Sequence, residues 1–277
     1  MTHIRHPVVN GTFYPGNKDT LVKMIASMIN NVHPVKKEDK EIFGLISPHA
    51  GYVYSGPAAA HGYSLLKGKN YDTVIVLGPS HYTLMNGAST WKDGEYKTPL
   101  GSQPIDTEVT NFLLQYEHIE FNQIAHIQEH SIEVQVPFLQ YVLKSEFKFV
   151  PIIVGNQQYQ YTKILAETLT ELIKNIPKKY LFIASTDLSH YHSDEVAKRL
   201  DKNVVDAIKN FDIEKLVEII NTGKGEACGI GPVLTLLLLA KNMNAADIDV
   251  LSLTNSGETS GDYSRVVGYM SAVLYKE

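Results

Sequence analysis

Thr73-Val74-Ile75-Val76-Leu77-Gly78-Pro79-Ser80-His81-Tyr82 is the stretch that decides the fold. Its first six residues, Thr73 to Gly78, are an apolar run rich in β-branched side chains and without polar alternation. Such a run reads as a strand covered on both faces, as in a parallel or mixed sheet. It ends in a Gly-Pro turn that hands a serine, a histidine and a tyrosine to the strand end. The same grammar recurs on either side. Ile42 to Ser47 is followed by Pro48-His49-Ala50-Gly51, and Tyr180 to Ser185 by Thr186-Asp187-Leu188-Ser189-His190. Phe147 to Val154 is a further buried run, and Val250 to Thr254 and Val266 to Tyr275 read as strands that close the sheet.

Between these runs the apolar period changes from continuous to three and four. Asp19 to Asn30 places Leu21, Met24, Ile25 and Met28 on one face, and Pro57 to Leu66, Thr107 to Tyr116, Ser131 to Leu143, Tyr161 to Ile173 and Asp194 to Lys209 also suit helices. Pro137 is awkward inside the fourth of these six. Gly229 to Asn242 is apolar on every face and reads as a buried helix. Asn86 to Gly101, with glycines around Trp91, reads as a hairpin-like excursion that overhangs a pocket. Strands alternating with helices predict one layered α/β domain over residues 1–277, with a mixed, largely parallel central sheet flanked by helices.

Composition bounds the function. The 277 residues are 44% hydrophobic and 20% charged with net charge −5, and no segment concentrates Lys and Arg. A nucleic-acid footprint is therefore disfavoured, and Lys36-Lys37 and Lys178-Lys179 read as solvated surface pairs. The single cysteine, Cys228, makes an intramolecular disulfide impossible and fits a reducing, cytoplasmic setting. The first seven residues hold no signal-peptide core, and the most apolar stretch, Val233 to Ala240, is too short to span a bilayer. No membrane role is expected.

In open α/β sheets ligands bind beyond the carboxyl ends of the strands. Three strand ends here present a histidine: His49, His81 and His190. Eleven histidines occur in the chain, so one such placement is unremarkable, whereas three along one edge point to a site. Imidazole is the commonest metal ligand and the usual base near neutral pH, and two His with one further donor suit a catalytic metal with open positions. Cys228, at the start of the buried helix, and Glu226 compete as third donor; on spacing alone a lone cysteine is first a small buried hydrophobe. Asp187 lies three residues before His190 and is placed to orient it or to cap the next helix. Glu129-His130-Ser131-Ile132-Glu133 reads as a polar cluster supporting the site from outside. His3, His6, His33, His118, His126 and His192 are assigned to surface or loop roles. Tyr52, Tyr54, Ser80, Tyr191 and Glu226 line the pocket. No Gly-x-Ser-x-Gly elbow, GxGxxG fingerprint or Walker-type loop occurs, so a nucleophilic serine and nucleotide cofactors are poorly supported.

These motifs resemble one family nearly end to end. Arg5-His6-Pro7 through Gly11-Thr12-Phe13-Tyr14-Pro15, Pro48-His49-Ala50-Gly51-Tyr52-Val53-Tyr54-Ser55-Gly56, Leu77-Gly78-Pro79-Ser80-His81, the run Glu129 to Leu139, Ser185-Thr186-Asp187-Leu188-Ser189-His190-Tyr191, Ala227-Cys228-Gly229, Ser260-Gly261-Asp262 and Val267-Gly268-Tyr269 are similar to the Memo family, labelled AmmeMemoRadiSam system protein B in prokaryotes. The resemblance implies a fold like the class III extradiol dioxygenases, non-haem iron enzymes with two His and one Glu as ligands and a further His as acid–base catalyst. By position, His49 and His81 match the ligands, His190 the catalytic His, and Cys228 stands in place of the Glu. It implies one bound metal ion, iron(II) or copper ahead of zinc, since thiolate is a softer donor than carboxylate. Redox or signalling roles through phosphopeptide-like partners, and a link to a radical-enzyme pathway, come with the resemblance. Two functions follow: a metal-dependent redox protein or oxygenase of unassigned substrate, or a non-catalytic module that reuses the cleft for a peptide or small ligand. A metal-dependent hydrolase has the weakest basis, because no acidic ligand set is evident.

Overall fold

The computed structural model describes residues 3–33, 37 and 40–276; Lys36 of the surface pair lies outside them. The strands are β1 (Ile4–Arg5), β2 (Ile42–Ser47), β3 (Thr73–Pro79), β4 (Ala88–Thr90), β5 (Glu95–Thr98), β6 (Gly101–Pro104), β7 (Ile119–Glu120), β8 (Lys148–Val154), β9 (Tyr180–Ser185), β10 (His190–His192), β11 (Asp247–Asn255) and β12 (Val266–Tyr275). Nine of them form one sheet in the order β10-β12-β2-β9-β3-β8-β4-β7, with β11 on β12. Its centre, β2-β9-β3-β8, is parallel throughout. Antiparallel β12 and β4 flank that centre, so the sheet is mixed, as expected, and its parallel character is confined mainly to the centre. β1, β5 and β6 make a separate small sheet.

The unbroken apolar runs are explained by burial on both sides. Val74 and Val76 of β3 face one apolar cluster while Ile75 and Leu77 face the other, and Leu181 and Ile183 of β9 alternate with Phe182 and Ala184 in the same way. The helices are α1 (Lys18–Asn30), α2 (Tyr52–Leu65), α3 (Thr107–Leu113), α4 (Gln123–Ile127), α5 (Val136–Val142), α6 (Tyr159–Asn175), α7 (Asp194–Lys209), α8 (Ile213–Asn221), α9 (Ile230–Asn242) and the single turn α10 (Gly257–Ser260). α6 to α9 cover one face; α1, α2 and α5 cover the other.

Several boundaries differ from the sequence reading for local reasons. The helix expected over Ser131 to Leu143 is a 3-10 turn, Glu133–Gln135, followed by α5. Pro137 therefore sits in the first turn of α5, where its missing N–H is not needed. α2 begins at Tyr52 and carries Pro57 inside it. The segment after Asn86 is packed into the fold. Its first strand, β4, joins the main sheet on β8, and Trp91 is fully buried against His3, Tyr96, Phe121 and His126.

Two glycines let chain segments close on the carboxyl edge of the sheet. A Cβ at Gly78 would meet Ser131 Oγ at 2.5 Å, and one at Gly229 would meet the Ser185 carbonyl oxygen at 2.1 Å. The first contact seats the Glu129–Ser131 loop on β3. The second seats Cys228, at the entrance of α9, on β9.

Candidate metal centre

Because β2, β9, β3 and β8 run parallel, their carboxyl ends share one edge. Ser47 pairs with Ser185 at the ends of β2 and β9, so the residues that follow, His49 and Asp187, leave the sheet side by side. His81 follows the neighbouring β3. The structure thus brings two of the three strand-end histidines, together with Asp187, to one edge of the sheet.

His49 is buried, with 2% of its surface exposed. Its backbone N–H donates to Asp187 Oδ1 at 2.7 Å, and its ring Nδ1 lies 2.9 Å from Ser185 Oγ. Burial first, then the nearby rings of His81 and His130, push its pKa well below the ordinary value. The ring is neutral near pH 7.

His81 is gripped by Glu129. Its backbone N–H donates to Glu129 Oε2 at 2.7 Å and its Nδ1 to Oε1 at 2.9 Å. Burial works to raise the Glu129 pKa, but the hydrogen bonds and charge of His81 and the backbone N–H of Ser131 hold it down at about 2. The same pairing outweighs burial at His81 and raises its pKa. An ionised carboxylate only accepts, so His81 Nδ1 carries the proton and Nε2 is left free.

His130 is the residue the sequence reading placed outside the site. Its ring stacks on His81 with centroids 4.9 Å apart and stands 5.8 Å from His49. His49, His81 and His130 each offer a ring nitrogen, and these lie within 4.8 Å of one another. His130 Nδ1 is buried without a hydrogen-bond partner among the described residues, and burial lowers the ring's pKa. The signal in the sequence was Glu129 beside it: the carboxylate that binds His81 also accepts the His130 N–H at 2.9 Å.

Cys228 lies against His49, with Sγ 3.2 Å from Nε2, outside the three-histidine group. Burial, and then the charge of Asp187, push its thiol well above the ordinary range. Without a metal the sulfur keeps its proton and is placed to donate it to the His49 lone pair. Asp187 and Cys228 are also tied through backbone: the Asp187 N–H meets Sγ at 3.2 Å and the Cys228 N–H meets the Asp187 carbonyl at 3.2 Å. Burial above all raises the Asp187 pKa to about 6.

The expected Asp187–His190 pairing takes a different form. His190 Nδ1 donates to the Leu188 carbonyl at 2.8 Å, while the Asp187 carboxylate holds the His49 turn. With Nδ1 so engaged, His190 Nε2 carries the lone pair of the neutral ring. Glu226 is not among the three-histidine group; it accepts from His192 Nε2 at 2.9 Å and from the His190 backbone N–H at 3.4 Å. Of the expected lining, Tyr54 and Tyr191 are 44% and 65% exposed, and Tyr191 adopts φ +62°, a left-handed conformation uncommon for a bulky residue. Arg265 sits over its ring at 5.3 Å. Ser80 Oγ donates to the Thr83 carbonyl and closes its own loop. Tyr82, 58% exposed, stands near His81 and His130 and joins the rim.

The remaining histidines divide. His6 and His33 are exposed, as expected. His126 is not at the surface: it is fully buried between Tyr96 and Ser89, which hydrogen-bond its two nitrogens, and its pKa falls to about 3, burial being the chief cause. Lys178 is likewise not a free surface charge, since it reaches the buried Asp106 at 2.8 Å.

The sequence and its relatives carry one family signature. The model for "Memo-like protein" matches residues 5–273. A MEMO1 family protein of Sulfurisphaera tokodaii is 41% identical over 280 residues, covering 97% of this chain and 98% of that one. A MEMO1 family protein of Nitrosopumilus maritimus is 36% identical over 270 residues, covering 96% and 98%. A crystal structure of an uncharacterized protein from Escherichia coli K12 is a looser likeness, with TM-score 0.48 and 12% identity over 84% of this chain and all of the other. A match that runs through the His49, His81, Glu129 and Cys228 segments alike leaves one conclusion: the chain belongs to the Memo family.

Proposed function

We propose that this chain is a metal-dependent redox protein or oxygenase whose single ion is held by His49, His81 and Cys228, with His130 beside it. The observation that carries the reading is the convergence of three imidazole nitrogens within 4.8 Å at the carboxyl edge of the sheet, with a thiol 3.2 Å from His49 Nε2. The donors fit an ion of borderline to soft character. His49 is kept neutral by burial, His81 turns its proton toward Glu129, and His130 has a buried nitrogen without a hydrogen-bond partner among the described residues. Imidazole with thiolate suits iron, copper or zinc, and iron(II) or copper is the ion that supplies one-electron chemistry when bound.

The chain's own residues supply the rest. His190, with its Nδ1–H directed to Leu188, offers Nε2 as an acid–base group. Asp187 fixes the turn that carries His49. Tyr54, Tyr82 and Tyr191 give an aromatic rim for a small organic or peptide ligand.

Anaerobically purified protein loaded with copper(I) or iron(II) tests the donor set. Cys228→Ser should abolish any thiolate-to-metal absorption and lower affinity, while His130→Ala should lower affinity less. An unchanged spectrum and affinity in Cys228→Ser, with loss in His130→Ala, would replace the thiolate by a third imidazole.

A further inference from the structure

His49 lies at the end of a hydrogen-bond chain whose protons are fully determined. Ser185 Oγ touches three groups: the Ser131 carbonyl at 2.6 Å, Gln135 Nε2 at 2.8 Å and His49 Nδ1 at 2.9 Å. A hydroxyl has one proton to give and two lone pairs to offer. The carbonyl of Ser131 only accepts, so it takes that proton. Gln135 is oriented just as firmly. Its Nε2 faces the Pro48 carbonyl at 2.9 Å, and its Oε1 receives the Tyr63 hydroxyl at 2.6 Å. The amide nitrogen therefore donates to Ser185, and the one remaining contact, His49 Nδ1, must donate as well. The opposite tautomer would set a bare Nδ1 against an oxygen with no proton left.

We infer that Ser185 and Gln135 are positioning residues for His49, holding its ring in the Nδ1–H form so that Nε2 is always the bare nitrogen. Both are buried, Ser185 at 0% and Gln135 at 1% exposure, and both sit on segments that frame the site: Ser185 closes β9 and Gln135 ends the turn before α5. Glu129 does the equivalent service for His81 with a charged acceptor. His49 receives a neutral one, so its ring is directed without being drawn toward protonation. Gln135 also clamps the Pro48 carbonyl, one residue before His49, so ring and turn are fixed by the same side chain. Their use in ion binding rests on the metal-site reading proposed above, whereas the tautomer is a property of the metal-free chain.

Imidazole ¹⁵N spectroscopy of the metal-free, ¹⁵N-labelled wild-type protein at pH 7.5 is the test. The expected spectrum shows the proton on His49 Nδ1 and Nε2 as the bare nitrogen; a proton on Nε2, or rapid exchange between the two forms, overturns the inference. Ser185→Ala should mix the tautomers and weaken zinc(II) binding about 10- to 100-fold, the range that outer hydrogen bonds to metal ligands command. Gln135→Met, which keeps the hydroxyl, should weaken it in the same direction and serves if Ser185→Ala does not fold. Wild-type zinc affinity in both folded variants would contradict the positioning role. A wild-type protein with the Nδ1–H tautomer that binds no zinc, iron or copper would instead sink the metal-site reading and leave the tautomer standing.

Discussion

Glu129 holds His81 at two points, accepting its backbone N–H on Oε2 at 2.7 Å and its ring Nδ1–H on Oε1 at 2.9 Å. One buried carboxylate thus fixes both the loop after β3 and the ring that the loop presents. Its Oε1 also accepts the N–H groups of His130 and Ser131, so every group around it is a donor.

Replacement of Glu129 by Gln keeps the shape and turns one oxygen into a donor facing donors. We expect Glu129→Gln to lose about 1–3 kcal/mol of stability and to bind zinc about 10- to 100-fold more weakly. Urea unfolding of the metal-free protein and a zinc titration read the two effects separately. Wild-type values in both would show that the carboxylate is dispensable.

Asp187 separates charge from hydrogen bonding. Its Oδ1 accepts the His49 N–H, a task an amide oxygen performs equally well. Asp187→Asn should therefore unfold within about 1 kcal/mol of wild type, whereas Asp187→Ala, which strands a buried N–H, should cost about 1–3 kcal/mol. Equal losses in the two metal-free variants at pH 7.5 would contradict this account.

The N-terminal segment is pinned by an internal charge pair. Arg5, 1% exposed, bonds Glu133, which also receives the Tyr14 hydroxyl and the N–H groups of Val8 and Val9. Arg5→Met leaves a buried carboxylate without its cation and should cost about 3–5 kcal/mol. The double variant Arg5→Met/Glu133→Leu should lose less in urea unfolding than the sum of the two singles; a double variant that loses the full sum refutes the pairing.

Asp106, fully buried, caps α3 and pairs with Lys178. Burial opposes its ionisation, yet the hydrogen bonds from Lys178 and Thr73 prevail and depress its pKa below 3.8. A depressed acid contributes stability that is present above its unfolded pKa and is lost as pH falls through the folded one. Stability should therefore decline below about pH 4, and Asp106→Asn should flatten that limb while lowering stability at pH 7. An unaltered acid limb in urea unfolding across pH 2–7 would remove Asp106 from it.

What was legible in the sequence follows from which forces are local. The runs IFGLIS, TVIVLG and YLFIAS are buried on both faces, so composition alone marks them as central strands, and their shared direction then predicts where His49, His81 and Asp187 emerge. His130 was not legible as a member of the cluster. It follows no strand, and it reaches the histidines because Gly78 admits the Ser131 loop and Glu129 binds two neighbours at once. His126 and Lys178 were misplaced for a related reason: each is polar by type and buried only because a distant partner, Tyr96 or Asp106, satisfies it. Helix α8 was passed over, although Ile213, Leu216 and Ile219 form its buried face. Nor could spacing place Cys228 beside His49, since the two meet across 179 residues of chain.

The central claim is a metal ion on His49 and His81, and elemental analysis of protein purified anaerobically tests it most directly. The account predicts about one iron or copper per wild-type chain and almost none in folded His49→Ala and His81→Ala. Equal metal content in wild type and both variants, or a wild-type chain that takes up no metal when offered iron(II), copper(I) or zinc(II), would contradict it.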